Sequence, residues 1–176
     1  ILEEGKNYKG NFPSKYDSVV AYINQGITAL KLRMDTVDLF YATENMVVEK
    51  LDEFEADDMV KYQDLDAYVT LSDHLDANVD WDCSEKTNAE LTAEIALYEA
   101  EIKALDDRMA LIELFDDKAT QIKAAIDAAT YGYLDEYAFM KRTYDEVMAV
   151  ANPVTDSDDV FQGYYNSLYD AYNGYV

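Results

Sequence analysis

An all-α fold, an elongated antiparallel helical bundle of coiled-coil type, is predicted by three features of this 176-residue chain. Apolar residues recur at alternating spacings of three and four over most of its length, Gly and Pro number only 6 and 2, and hydrophobic residues make up 49% of the sequence. The spacing is the heptad pattern that lays helices lengthwise against a partner. One Pro sits near each end, so the middle lacks the residues that most often interrupt helices. The apolar content is enough for a packed core, and the length suits one helical bundle domain over residues 14–176.

Residues 1–13 contain Gly5, Gly10 and Pro13 without an apolar period and read as an irregular lead-in, with Ser14 placed to N-cap a first helix. That helix is expected over residues 14–55, on a row running Val20, Ile23, Ile27, Leu30, Met34, Val37, Tyr41, Val48 and Leu51 and broken only at Glu44. The acidic run from Asp52 to Asp58 ends or bends it, because like charges one turn apart weaken a helix. Met59, Tyr62, Leu65, Val69 and Leu75 predict a second helix over residues 57–77, and residues 78–84 read as a loop. Thr87 and Glu90 then form a capping box, in which each side chain satisfies a backbone donor at the start of a helix.

The strongest periodicity follows, and predicts a helix over residues 87–151. One column reads Leu91, Tyr98, Leu105, Ile112, Ala119, Ile126, Tyr133, Met140 and Val147. Its companion, from Ile95 through Ile102, Met109, Phe115, Ile122 and Ala129 to Tyr137 and Tyr144, slips phase near residues 115 and 133, which marks bends or local changes of winding. Gly132 is the expected interruption. Asn152-Pro153 ends this helix, and Asp156 to Asp159 supply a cap and favourable first-turn charge for a last one over residues 157–172, with the stripe Val160, Tyr164, Leu168 and Ala171.

Asp and Glu total 37 against 14 Lys and Arg, a formal net charge of -23. A field of that sign makes nucleic acid and anionic membrane poor partners, and calcium, protons or a basic protein surface good ones. It also simply keeps a protein soluble. No run of about 18 apolar residues is present to span a bilayer. The chain starts at Ile1 without Met or a signal-peptide core, which fits a processed or a trimmed chain. Cys83 is the sole cysteine, so no internal disulfide forms.

A catalytic apparatus is not visible. His74 is the only histidine, which removes a di-iron bundle with its two Glu-x-x-His pairs and leaves too few ligands for a His/Cys zinc site. Neither a Gly-rich phosphate loop nor a nucleophile elbow occurs. One metal candidate stands out: Asp76, Asn78, Asp80 and Asp82 alternate as oxygen ligands do at the start of an EF-hand loop. The sixth position is Trp81 where such a loop needs Gly, and the twelfth is Thr87 where it needs Glu, so this is not an EF-hand. A loose calcium site and an ordinary acidic loop both fit. Tyrosine is the other excess, at 16 residues, with Tyr164, Tyr165, Tyr169, Tyr172 and Tyr175 close together at the C-terminal end. Tyr joins large contact area to a hydroxyl that tolerates water, which suits either a subunit interface or the edge of a bundle core.

The stretch from Cys83 through Thr87-Asn88-Ala89-Glu90-Leu91-Thr92-Ala93-Glu94-Ile95 and on through Glu101-Ile102-Lys103-Ala104-Leu105-Asp106-Asp107-Arg108 resembles the Ala/Glu/Ile/Leu coiled-coil segments of ciliate trichocyst matrix (granule lattice) proteins. The resemblance covers about a quarter of the chain on a pattern that many coiled coils share. It implies a small acidic helical polypeptide cut from a precursor, packed with itself or relatives into a secretory-granule core, and expanding when calcium enters. The expectation is therefore a non-enzymatic structural protein of a secretory-granule or extracellular lattice or filament, responsive to calcium or pH. The alternative is a helical protein-binding module of a secreted or bacterial surface protein, gripping a partner through its Tyr-rich end.

Overall fold

A computed structural model describes residues 12–128 and 132–176, with side chains from residue 15 onward. Its described residues form five α-helices and no strand: α1 (Phe12–Asp52), α2 (Asp66–Asn78), α3 (Asn88–Ala128), α4 (Asp135–Val150) and α5 (Asp158–Tyr175). Short 3-10 turns at Glu53–Glu55, Val60–Tyr62 and Cys83–Glu85 fill the first two connections.

α3 organises the rest. At 41 residues it is about 62 Å long, and its two halves serve different neighbours. Along the first half, Arg33 on α1 meets Asn88 and Lys50 meets Asp106, so α1 runs parallel to α3. α2 returns between them, with Asn78 opposite Tyr98 and His74 opposite Glu101. Along the second half, Tyr137 reaches Ile126 while Arg108 reaches Asp158 and Phe115 packs on Phe161, which makes α4 antiparallel and α5 parallel to α3. Two up-down-up triplets therefore share α3, and one continuous set of buried residues, from Phe40 to Ala171, runs through both.

The α3 column read from sequence is the core: Leu91, Tyr98, Leu105, Ile112 and Ala119 are buried, as are Ile95, Phe115 and Ile122 of its companion. Thr87 and Glu90 make the capping box, with Glu90 N–H donating to Thr87 Oγ1 at 3.2 Å and Thr87 N–H to Glu90 Oε2 at 2.7 Å.

The structure changes several expectations. The helix expected over residues 87–151 is two, α3 ending at Ala128 and α4 beginning at Asp135. The break falls at the second phase slip, where one straight helix would turn its apolar column away from the core. Ala129 lies outside the described residues, Gly132 falls in the turn, and Tyr133 is 80% exposed. The helix expected over residues 57–77 begins only at Asp66, because Phe54, Tyr62 and Leu65 are buried as a plug and Gln63 Nε2 donates to Phe54 O at 2.8 Å, holding tight turns. α1 is described from Phe12, which puts Ser14 inside its first turn and not at its cap. On α5, Phe161 is buried and Val160 exposed.

On α1 the seam keeps Val37 and Leu51 of the row read in the sequence but takes Phe40 and Val47 in place of their neighbours Tyr41 and Val48. Phe40, Thr43 and Val47 are buried beside Val37 and Leu51, while Met34, Tyr41 and Val48 are exposed. Farther toward its start, α1 overhangs the triplet. Arg33 already sits level with the first residue of α3, so residues 12–32 extend about 31 Å beyond it. All side chains described from Lys15 to Leu32 are exposed.

Candidate functional site

Two features stand apart from ordinary core packing: a polar cluster inside the first triplet, and the apolar overhang of α1.

The cluster grows from α3. Glu94 and Glu101 are seven residues apart, on the same face and flanking Tyr98, whose ring is fully buried. α2 brings His74 down on them. Its ring lies on Tyr98 at 4.5 Å between centroids, Nδ1 donates to Glu101 Oε2 at 2.7 Å, and Nε2 donates to Glu94 Oε1. Asn78, one turn later, gives its amide to the same Glu94 oxygen and to Tyr98 Oη at 3.0 Å. Both imidazole nitrogens face carboxylates, an arrangement that only the doubly protonated ring satisfies fully. Burial opposes the charge on His74, but the hydrogen bonds to Glu101 and Glu94 outweigh it and raise its pKa above the ordinary value. Glu44 approaches from α1, and burial followed by repulsion from Glu94 raises its pKa as well.

The three His74, Glu94 and Glu101 side chains are only 13–16% exposed, and both imidazole nitrogens and one oxygen of each glutamate are engaged within the bundle. This geometry ties α2 to α3 by charge.

The overhang is the reverse case. Val20, Ile23, Ile27, Leu30 and Met34 keep the three-and-four spacing of a seam, yet Ile23 is 52%, Ile27 48% and Leu30 61% exposed. Single exposed apolar residues are ordinary, whereas these form a continuous row on one helix.

The acidic loop does not gather its oxygens. Asp76 and Asn78 stand on the last turn of α2, Asn78 buried against Glu94 and Tyr98. Asp80 is exposed, and Asp82 is turned to the backbone N–H of Ser84 at 2.8 Å. Among the described residues no group of three or more His, Cys, Asp or Glu is placed to hold a metal ion. Cys83 is buried in the same turn.

Of the C-terminal tyrosines, Tyr164, Tyr165, Tyr172 and Tyr175 pack partly against the core, and Tyr169 is 44% exposed. Lys118 lies over the rings of Tyr172 and Tyr169 at 4.7 and 5.1 Å. This end is therefore largely committed to holding α5 on α3.

Arg108 is the residue that the periodicity passes over. Only 4% exposed, it donates to Pro153 O at 2.6 Å, Asp156 O at 2.8 Å and Asp158 Oδ1 at 3.0 Å, with Phe161 beneath its guanidinium. Its position on the Leu105–Ile112 face was the available signal.

No helix among the described residues is long and apolar enough to cross a membrane. The chain matches no family model, and neither the curated proteins nor the solved structures contain a significant match to it.

Proposed function

We propose that this chain is a non-enzymatic structural protein, which assembles with copies of itself or with related acidic helical chains into an elongated, coiled-coil-like lattice or filament. The observation that carries this reading is the uncovered seam on α1: four apolar residues at heptad spacing, Val20, Ile23, Ile27 and Leu30, exposed on a helix that extends about 31 Å past its own bundle. A seam of that kind is complete only when another helix lies on it.

The net charge of -23 sets the condition for assembly. Copies packed within about 10 Å repel unless their carboxylates are neutralised, and calcium and protons both neutralise them. Calcium acts here as a diffuse counter-ion to the carboxylate surface, with the loop around Asp76, Asp80 and Asp82 as one part of that surface. The resemblance to trichocyst matrix proteins supports the same reading and suggests a secretory granule or the extracellular space. The C-terminal tyrosines support a binding module less well, since four of the five are occupied by the core.

Static light scattering, with calcium titrated into the dilute protein at several pH values, tests the proposal. Mass should rise with calcium and with acid, and fall again on chelation. A mass that stays monomeric through calcium, pH and protein concentration contradicts it.

A further inference from the structure

The charge of the chain is not spread evenly. Residues 1–33 carry Lys6, Lys9, Lys15, Lys31 and Arg33 against Glu3, Glu4 and Asp17, so the whole net charge of -23, and more, belongs to the rest of the molecule. Within the overhang itself, residues 12–32, Lys15 and Lys31 stand against Asp17 alone, so it is an apolar segment of slight positive charge on an acidic protein.

It also points away from that acidic body. α1 is parallel to α3, so the overhang leaves from the α3 N-terminus while the second triplet lies at the opposite end. At the far tip, where α4 starts and α5 ends, an open groove of about 270 Å³ runs between the two helices. Its floor is Phe139, Ala171 and Gly174, and its rim is Asp135, Glu136 and Asp170. Phe139 is 51% exposed there, with the Arg142 guanidinium 5.5 Å from its ring. Since the overhang extends away from α3, it cannot fold back to this groove on its own chain.

The overhang has a further need of cover. Val19, Val20, Ile23, Gly26, Ile27 and Thr28 are weak helix formers, and helices of this length are marginal in water without packing. An apolar basic helix at one end and an apolar acidic groove at the other are complementary in both respects.

Resting on the reading of the chain as a self-assembling protein, we infer that the α1 overhang of one copy docks on the α4–α5 tip of a second copy, head to tail. The contact is heterologous, so each docked copy still presents one unfilled groove and one bare overhang, and growth is open-ended. Ile23, Ile27 and Leu30 meet the Phe139 floor, and Lys31 meets the acidic rim.

Two variants and their mixture test this on the full chain. Ile27→Asp disables the overhang, and the double variant Asp170→Lys/Gly174→Arg disables the groove. Both are placed on exposed positions, and a Cβ at Gly174 meets nothing within 4 Å, so helix content and melting should match wild type. By sedimentation velocity under conditions where wild type assembles, each variant alone should associate about tenfold more weakly or not at all, as the loss of one buried Ile implies. Mixed in equal amounts they should form a dimer and stop, because one good overhang then finds one good groove. If the groove variant alone assembles like wild type, head-to-tail docking is overturned while self-assembly stands, and the overhangs pair with each other. If wild type and both variants remain monomers with calcium present at every pH, self-assembly itself fails.

Discussion

Arg108 shows how much one side chain decides in this fold. Its guanidinium enters the bundle to bond two backbone carbonyls of the α4–α5 turn, Pro153 O and Asp156 O, while the Phe161 ring supports its flat face. Asp158, by contrast, is 78% exposed, and ion pairs of that kind contribute little. Arg108→Ala should therefore cost about 2 kcal/mol by chemical denaturation, the loss of two bonds to part-buried carbonyls and of the packing on Phe161, while Asp158→Asn stays within about 0.5 kcal/mol of wild type. Equal losses in the two would mean that the ion pair, and not the carbonyls, anchors the turn. His74 makes the second prediction at this scale. The charged groups facing it are Glu94 and Glu101 from α3 and, beyond them, Glu44 from α1, while the neutral Asn78 and Tyr98 complete the cluster. Burial works against its charge, yet the bonds to Glu101 and Glu94 raise its folded pKa. The stabilisation it supplies is therefore full below about pH 6.5, the unfolded value, and is lost as pH climbs through the higher folded value. Glu44, also raised, acts in the same direction at lower pH. Denaturation midpoints should fall on going from about pH 6 toward pH 9, and His74→Gln should be less stable at the acid end with a flatter profile. A variant whose pH profile parallels wild type would remove His74 from this role.

At the scale of elements, α1 is two helices in one: a packed half from Arg33 to Asp52 and an overhang before it. Propensity matters little in the first and much in the second, where no side chain from Lys15 to Leu32 is buried. Gly26 sits in the middle of the overhang with open space at its missing Cβ. Gly26→Ala should slow amide exchange of residues 27–32 about two- to fivefold in the dilute protein, without moving the thermal transition of the body. The same contrast explains what the sequence could and could not reveal. On α3 each member of the column Leu91, Tyr98, Leu105, Ile112 is followed by a polar residue, Thr92, Glu99, Asp106 or Glu113, so the adjacent row on that side cannot compete for the core and the period identifies the buried face. On α1 two adjacent rows are apolar, and the choice between Phe40–Val47 and Tyr41–Val48 is made by distant rings, Trp81 stacked on Phe40 at 5.9 Å and Tyr98 at 6.5 Å. No local pattern contains that. The cluster around His74 was hidden for a similar reason: Glu94 and Glu101 look like a solvated face until α2 lays a histidine across them. Likewise the alternation of Asp76, Asn78, Asp80 and Asp82 suggested convergence, but α2 extends through Asn78 and helical rotation turns that side chain into the core.

For the whole molecule, the decisive asymmetry is between its ends. One end carries an apolar, slightly basic helix whose described side chains up to Leu32 are exposed, the other an acidic groove, and the body between them is neutral enough to approach a copy only when cations screen its carboxylates. The measurement that tests this most directly is amide hydrogen exchange of the wild-type chain, compared between the dilute protein and the calcium-loaded, concentrated one. Residues 20–32 should exchange near the unprotected rate when dilute and become protected on assembly, while the α3 core around Leu105 is protected in both states. If residues 20–32 exchange equally fast in the assembled protein, the overhang is not the contact through which copies join.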